Sequence, residues 1–326
     1  MFISSHHTPL ADIKQASLIS LFKSESSRII TELINQAALT DASVIIIGEI
    51  NTGKRWTARI IHENGRHPGG PFHEISCLAL PNIRIRRELF GHITYTEEGV
   101  LISNPVFQKA NGGTLLIDAF TNLPKEMQLH LVSIMEQINN GKIINRKAEP
   151  LEVQLIITLD QSEYNSVKKE QYWEQLVERI NPIFIHESPL RERREDIPVL
   201  TDLFLDRLVQ KYKSEKPEIS LKAHYHFIHY DWPGNLRQLH NAIEYALILS
   251  DSHLIEPAHL PKYLQQSDKT LFKNHNGFAA EHHSLVNAEV QLYMQALKKH
   301  RKLEEAAVNL GISTKQLESR LGLTPP

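Results

Sequence analysis

The sequence has a single cysteine, no long apolar run and almost no excess of charge of either sign. Because Cys77 is alone among 326 residues, an internal disulfide and a cysteine-rich zinc site are excluded. No apolar run approaches the roughly 18 residues of a membrane span, and the polar N-terminus lacks a signal core. The 18 histidines form no ligand set with carboxylates at fixed spacing, so no metal site is predicted. Thirty-six basic residues oppose 38 acidic ones, which excludes coating of nucleic acid through bulk charge. We expect a soluble, cytoplasmic protein without a membrane partner.

Four short, β-branched apolar runs alternate with amphipathic helical patterns in the first 190 residues. The runs resemble buried strands and cover residues 44–47, 115–117, 153–159 and 183–185. The clearest helical patterns cover residues 26–38 and 125–138. This alternation predicts an α/β fold, with a parallel sheet and helices on both faces. From Pro189 to Leu264 the pattern is almost wholly helical, which predicts a lid beside the sheet.

A glycine-rich segment follows the first predicted strand and precedes an amphipathic helix. Its Gly-x4-Gly-Lys spacing is that of a phosphate-binding loop, in which backbone N–H groups face the phosphates and Lys54 reaches the outer ones. The strict pattern has Ser or Thr after the lysine to hold magnesium, whereas this chain has Arg55. The segment therefore predicts nucleotide binding more strongly than magnesium-dependent turnover. The predicted binding residues in this loop are Gly48, Glu49, Asn51, Thr52, Gly53, Lys54 and Arg55.

Four further motifs follow in order along the chain. They are Glu-Leu-Phe-Gly-His at 88–92, Gly-Gly-Thr-Leu-Leu-Ile-Asp at 112–118, Pro-Leu-Arg-Glu-Arg-Arg-Glu-Asp-Ile at 189–197 and Trp-Pro-Gly-Asn-Leu-Arg-Gln-Leu at 232–239. In order and spacing they resemble the AAA+ domain of bacterial enhancer-binding proteins, the activators of sigma-54 RNA polymerase. The resemblance covers about residues 26–264, and the arrangement, with no sensory receiver domain in front, is similar to that of the phage-shock activator.

The resemblance implies an AAA+ P-loop parallel sheet with a helical lid subdomain and a small all-α C-terminal helix-turn-helix. The expected parts are an N-terminal arm (1–24), the α/β subdomain (25–188), the lid (189–264), a polar linker (265–283) and a Fis-type helix-turn-helix (284–326). It also implies self-association, from dimer to hexamer, and ATP or ADP as the ligand. Mg²⁺ is a further candidate cofactor.

Several positions depart from the family's pattern. The family's sigma-54-contacting Gly-Ala-Phe-Thr-Gly-Ala loop is replaced by the unrelated residues 93–100, and its Walker B Asp-Glu pair reads Asp118-Ala119. Alanine cannot act as a base, and loss of such a base costs about 10²–10⁴ in rate.

Four more family positions can be assigned, of which some depart from the pattern and others keep it. Asp160 stands for the sensor asparagine, where its charge should disfavour ATP relative to a less charged ligand. The two trans-acting arginines read Trp173 and Arg179, while Arg237 retains the sensor II arginine. Asp118 and Arg237 complete the expected nucleotide site. Asp118, Asp160 and Arg179 are expected to be remnants of a catalytic site that no longer turns over ATP.

A short stretch before the domain is similar to a motif of flagellar master regulators that helps to bind cyclic di-GMP. This resemblance makes cyclic di-GMP a candidate ligand. The residues it implicates are Leu21, Phe22, Lys23, Ser24, Glu187 and Arg191.

The C-terminal segment resembles a Fis-type helix-turn-helix. Small Ala307 permits close helix crossing, Gly311 supplies the turn and Ser313 caps the next helix. Residues 291–326 contain six Lys or Arg against three Glu, so this segment is locally basic. The alternative is an ordinary helical hairpin with a charged, solvated face. The residues predicted to reach the major groove are Ser313, Thr314, Lys315, Gln316, Ser319 and Arg320.

These patterns lead to one hypothesis and two alternatives. The leading hypothesis is a sequence-specific DNA-binding transcription regulator that binds promoter DNA and uses a hydrolysis-deficient AAA+ domain to bind nucleotide and oligomerise. It would act without remodelling sigma-54 polymerase, for example through the major sigma factor of RNA polymerase or as a repressor. The alternatives are an active ATPase that remodels sigma-54 polymerase, and a modulatory subunit of mixed rings with an intact relative.

Overall fold

A computed structural model describes residues 22–79, 81–96, 99–103, 106–141, 143, 150–251 and 253–266. The described residues form two compact units. The first comprises those up to Val199 together with Asp231–Leu239, and the second comprises Leu200–Tyr230 and those from His240 onward. The predicted helix-turn-helix, with its six DNA-contacting residues, lies outside the described residues, as does Leu21.

The first unit is built on a five-stranded parallel sheet. Its strands, in sequence order, are β1 (Val44–Gly48), β2 (Phe72–Ser76), β5 (Gly113–Asp118), β6 (Val153–Asp160) and β7 (Ile183–Glu187). They lie in the order β2-β5-β6-β1-β7, and every pairing is parallel. All five residues of β1 are buried, as expected for a central strand that is covered on both faces. Between β2 and β5, strands β3 (His92–Thr96) and β4 (Gly99–Ser103) pair as an antiparallel hairpin.

Seven α-helices among the described residues lie wholly within the same unit. They are α1 (Glu25–Ala38), α2 (Lys54–Glu63), α3 (Asn82–Phe90), α4 (Val106–Lys109), α5 (Lys125–Asn139), α6 (Gln161–Val167) and α7 (Gln171–Ile180). Helix α1 begins after Ser24, whose hydroxyl accepts a hydrogen bond from Ser27 N and so caps the first turn. Apolar residues of α5 and α7 pack with those of the sheet in one continuous core.

The four predicted strands and both predicted helices are confirmed, within one or two residues at their ends. Cys77 is buried in the apolar core, and burial raises the pKa of its thiol to about 12, so it behaves as a small apolar residue. The sequence reading missed β2 and the β3–β4 hairpin. Strand β2 carries the polar pair His73 and Glu74 at one end of the sheet, where an apolar run is not required.

The elements after β7 are mainly helical, as predicted. They are α8 (Ile197–Tyr212), α9 (Leu221–His229), α10 (Asn235–Leu249) and α11 (Lys262–Gln266), with a short parallel pair formed by β8 (Glu218–Ile219) and β9 (Leu254–Ile255). Within the second unit, the ring of buried Phe204 packs edge-on against His240 at 5.3 Å. Among the described residues, no helix is both long enough and apolar enough to cross a membrane.

Candidate functional site

The glycine-rich segment connects the carboxyl end of β1 to the start of α2. In the sheet register Gly48 lies beside Asp160 at the end of β6 and beside Glu187 at the end of β7. Asp118 is the last residue of β5, which ends on the same side of the sheet as β1, β6 and β7 because these strands are parallel. The carboxyl ends of parallel strands are where ligands of α/β sheets bind, so the fold brings the predicted loop and the predicted remnants to one place.

The backbone of the loop depends on its glycines. Gly53 has φ of 126°, in the region that favours glycine, and its carbonyl accepts the first hydrogen bonds of α2. At Gly48 an added Cβ would lie 2.8 Å from Thr52 Oγ1 and 2.9 Å from the carbonyl oxygen of Glu187. The two glycines therefore permit a tight turn that leads directly into the N-terminus of a helix, which is the geometry of a phosphate cradle.

The side chain of Lys54 lies within the loop. Its Nζ donates hydrogen bonds to the carbonyl oxygens of Gly48 and Glu49, both at 2.7 Å. Burial lowers the pKa of Lys54, and nearby carboxylates oppose that shift. The four carboxylates that act on the ammonium are Glu187, Asp160, Asp118 and Glu163. The lysine is thus placed to contact phosphate oxygens, although its surroundings are unusually acidic.

Two side chains distant in sequence tie the loop to the segment after β7. Arg191 forms a bidentate ion pair with Glu49, with N–O distances of 2.9 and 2.6 Å, and this pairing lowers the pKa of Glu49. The fully buried Asn235 donates to the carbonyl oxygen of Ile50 at 3.0 Å and accepts from Leu190 N at 2.8 Å. Sequence reasoning missed Asn235, although it belongs to one of the quoted motifs.

A buried carboxylate and a buried guanidinium lie beneath the loop. Glu187 is 5% exposed and accepts a hydrogen bond from Thr57 of α2. Arg193 is 7% exposed and donates to the carbonyl oxygen of Thr52 at 2.5 Å, and burial lowers its pKa. Both side chains hold the loop and the start of α2 from the protein interior, and the negative charge of Glu187 opposes the lowering of the Arg193 pKa.

The stretch implicated in cyclic di-GMP binding packs against the same helix. Phe22 is 8% exposed, and its ring meets Trp56 of α2 edge-on at 5.9 Å. The fully buried carboxylate of Asp196 accepts hydrogen bonds from Lys23 N at 2.8 Å and from the hydroxyl groups of Ser24 and Ser27 at 2.7 and 2.6 Å. Phe22 and Glu187 thus contact α2, whereas Ser24 contacts Asp196, and all three side chains are buried.

The end of β5 carries a methyl group where the resemblance implies a catalytic carboxylate. Asp118 Oδ1 accepts a hydrogen bond from Thr158 Oγ1 at 2.6 Å. Ala119 N donates to the same hydroxyl at 3.0 Å, and Ala119 has a left-handed backbone with φ of 57°. The turn is therefore well defined by hydrogen bonds, while its side chain at position 119 can neither accept a proton nor orient water.

Four other positions singled out by the resemblance, among them the predicted remnants Asp160 and Arg179 and the predicted nucleotide-binding residue Arg237, lie in different surroundings. Asp160 caps α6, accepting from Ser162 N at 2.9 Å and from its hydroxyl at 2.6 Å. Trp173 is 4% exposed, and its ring packs edge-on against Phe120 and Tyr164 at 6.5 and 6.3 Å. Arg179 on α7 and Arg237 on α10 are exposed. The negative charge of Asp160 acts on Lys54 and opposes the lowering of its pKa.

Arg55, the residue after the loop lysine, forms an ion pair with Glu74 of β2. Burial raises the pKa of Glu74, and the negative charge of Asp118 contributes to that rise. This pair, which the sequence did not predict, connects α2 to β2, the edge strand of the sheet next to β5.

In the part of the chain that the structure describes, no group of three or more His, Cys, Asp or Glu side chains could hold a metal ion.

Comparison with known proteins agrees with this geometry. The family described as "Sigma-54 interaction domain" matches residues 21–186, and "AAA+ ATPase lid domain" matches residues 191–276. The transcriptional activator RocR of Bacillus subtilis is 30% identical over 300 residues, covering 90% of this chain and 65% of RocR. The transcriptional regulatory protein ZraR of Salmonella typhi is 32% identical over 320 residues, covering 95% of this chain and 70% of ZraR.

Two further comparisons add to this result. The regulatory protein AtoC of Escherichia coli is 34% identical over 230 residues, covering 70% of this chain and 50% of AtoC. The part of each relative that this chain matches is about half to two thirds of that relative's length for three of the curated proteins compared. The crystal structure of NtrX from Brucella abortus in complex with ATP has 22% identity and a TM-score of 0.60, covering 92% of this chain and 68% of NtrX, which shows a shared fold. The chain belongs to the family of sigma-54 interaction domain proteins, with an AAA+ lid following the sheet domain.

Proposed function

We propose that this chain is a sequence-specific DNA-binding transcription regulator whose AAA+ domain binds nucleotide and self-associates without hydrolysing it. The transcriptional activators and regulators among its relatives support a role in gene regulation. The phosphate loop, with Gly53 and Lys54 in place, supports nucleotide binding. ATP or ADP is the proposed ligand, since NtrX of the same fold was crystallised with each of them.

The observation that carries the non-hydrolytic part of this proposal is Ala119. It follows Asp118 at the carboxyl end of β5, where the family's pattern has a glutamate. A positioned base contributes about 10²–10⁴ to a rate, and a methyl group contributes nothing to proton transfer. The burial of Trp173 in the apolar core points the same way, because an arginine finger must reach a neighbouring active site.

ATP turnover by the purified full chain tests this proposal. We expect turnover of the natural chain to lie within about twofold of that of Lys54→Ala, because a rate without its base is near background. Lys125→Ala, which removes an exposed lysine of α5, is the matched control for loss of one positive charge. Robust hydrolysis that disappears in Lys54→Ala but persists in Lys125→Ala would overturn the proposal.

An active ATPase of the sigma-54 activator type is the second candidate function, and one carboxylate favours it. Glu163 of α6 accepts a hydrogen bond from Thr121, close after Ala119, and acts electrostatically on Lys54. A carboxylate so placed could take over the missing base. If hydrolysis is observed, Glu163→Gln distinguishes this route: a loss of at least tenfold in the rate of ATP hydrolysis would assign the base to Glu163.

The third candidate function is a subunit of mixed rings. Mixing the chain with an intact relative and measuring the particle mass tests it.

The DNA-binding part of the proposal rests on residues 284–326. Selection of duplexes from a random pool by the full chain should enrich one sequence, which a labelled duplex then reports at moderate salt. Lys315→Ala and Arg320→Ala should each weaken binding to the enriched sequence and reduce its preference over other sequences, because both side chains are predicted to reach base edges in the major groove. Lys125→Ala is again the control. Failure to enrich any sequence would contradict this part, as would unchanged affinity in both variants.

The choice of nucleotide completes the proposal. Titrations with ATP, ADP and cyclic di-GMP, each followed by measurement of particle mass, determine which ligand changes the oligomeric state. We propose a shift between dimer and higher oligomers with ATP or ADP. Cyclic di-GMP would instead be supported by a shift that Arg191→Ala removes and Lys125→Ala leaves unchanged.

A further inference from the structure

Glu187, the last residue of β7, lies against both ends of the phosphate loop. The register of the sheet places it beside Gly48, where the loop begins, and a Cβ built on Gly48 would lie 3.0 Å from Glu187 Cβ. A Cβ built on Gly53, where the loop ends, would lie 3.4 Å from Glu187 Oε2 and 3.9 Å from Oε1. The carboxylate is therefore close to the backbone that would carry the phosphates.

This carboxylate is buried and lacks a cation in direct contact. The side chain is 5% exposed. Its Oε1 accepts a hydrogen bond from the hydroxyl of Thr57, whereas Oε2 is buried without a hydrogen-bond partner among the described residues. Lys54 and Arg193 interact with it electrostatically, but Lys54 Nζ donates to loop carbonyl groups and Arg193 donates to Thr52 instead. The charge of Glu187 is thus not neutralised by a contacting partner.

A fixed negative charge at this place opposes what a phosphate loop needs. Such a loop attracts phosphates through its N–H groups, the N-terminus of the following helix and its lysine. Among the carboxylates that oppose the lowering of the Lys54 pKa, Glu187 has the largest influence. Because Glu187 is buried, solvent and salt screen its charge less than that of a surface carboxylate. Phosphates on the loop would therefore be repelled by a charge behind it.

We propose that Glu187 is a specificity-determining residue of this site, whose charge weakens the binding of nucleoside di- and triphosphates relative to monophosphates. The inference rests on the nucleotide binding proposed above and names the residue that limits it. The selectivity follows from the number of phosphate groups, since the loop and Lys54 hold the second and third phosphates as well as the first. Glu187 acts through its field and not by touching the ligand.

Calorimetric titration of the full chain with AMP, ADP and ATP tests the proposal. Glu187→Gln removes the charge and keeps the shape, so ADP and ATP should bind about tenfold more tightly and AMP less than about threefold more tightly. Glu187→Leu, checked for folding by circular dichroism, should show the same order of gains. Unchanged or weaker binding of ADP and ATP would overturn the proposal and leave nucleotide binding intact, and equal gains for all three ligands would overturn the selectivity. Absence of binding in the natural chain and in both variants would reject the proposed nucleotide binding as well.

Two control variants separate charge from packing. Thr57→Val removes the hydroxyl that donates to Glu187 but keeps the carboxylate, so it should give no gain in affinity. Glu63→Gln removes an exposed carboxylate at the other end of α2, roughly 13 Å along the helix axis from Lys54, so affinities should stay within about twofold. A gain in Thr57→Val equal to that in Glu187→Gln would assign the effect to loosened packing and contradict the role of charge.

Discussion

The phosphate loop and the carboxyl ends of β5 and β6 lie at the same edge of the sheet, but their side chains match the family's pattern to different degrees. Around the loop, Lys54, Arg191 and Asn235 all make the contacts that hold or serve a phosphate cradle. At the strand ends, Ala119 and Asp160 stand where the resemblance implies a glutamate and an asparagine. Under the proposed function, binding and turnover therefore depend on separate groups, so one can be retained while the other is lost.

The largest expected effect is at Trp173, a position where the family's pattern has an arginine. Because Trp173 is 4% exposed and packs against Phe120 and Tyr164, Trp173→Ala should reduce the free energy of unfolding by about 3–5 kcal/mol. Trp173→Arg should be at least as damaging, since it also buries a charge. Denaturant titration measures both, with Arg179→Ala as an exposed control on the same helix. A stable Trp173→Arg with increased turnover would show that this position still serves catalysis.

The second prediction concerns Asn235, which ties the loop to the segment after β7. Asn235→Ala leaves the buried N–H of Leu190 without this partner, which costs about 1–3 kcal/mol, whereas the carbonyl of the exposed Ile50 can bind water instead. We expect a loss of stability in that range and weaker nucleotide binding. Fluorescence titration and denaturant unfolding measure the two effects. Lost affinity with full stability would mean that Asn235 contacts the ligand directly.

A smaller effect is expected at Asp160, where charge and capping can be separated. Asparagine is as good a helix N-cap as aspartate, so Asp160→Asn should change the free energy of unfolding by only about 0.3 kcal/mol. Because it removes a negative charge near the phosphate site, it should raise the affinity for ATP about three- to tenfold, and that for ADP less. Calorimetric titration measures this, with Glu178→Gln as an exposed control on α7. Equal gains for ATP and ADP would contradict the argument from charge.

Sequence patterns predicted what is local in the chain and missed what depends on distant partners. The central strands and the phosphate loop were predicted because each combines an apolar run or a glycine spacing with its own geometry. Glu49 and Arg191 are 142 residues apart, and Arg55 finds Glu74 on a polar strand that no run of apolar residues marks. The resemblance places Trp173 at an arginine position of the family, but only packing shows that its ring belongs to the core.

The smallest predicted effect concerns the ion pair between Glu49 and Arg191. Both side chains are about a third exposed, so solvent screens the pair and its coupling should be about 0.2–1 kcal/mol at neutral pH. Because Arg191 lowers the pKa of Glu49 below 4.5, the contribution is present above that ordinary value and is lost as the pH falls through the lowered one. A double-mutant cycle with Glu49→Gln and Arg191→Gln, measured by denaturant unfolding at pH 7 and about pH 3, tests this. The Lys211–Glu244 pair of the second unit, with an N–O distance of 2.8 Å, is the matched control, because it is an ion pair outside the loop.

Added nucleotide extends the same measurement. If nucleotide abolishes the Glu49–Arg191 coupling and leaves the Lys211–Glu244 coupling unchanged, Arg191 exchanges Glu49 for phosphate when the site fills. Coupling that is independent of pH would instead mean that the pair acts through packing rather than through charge.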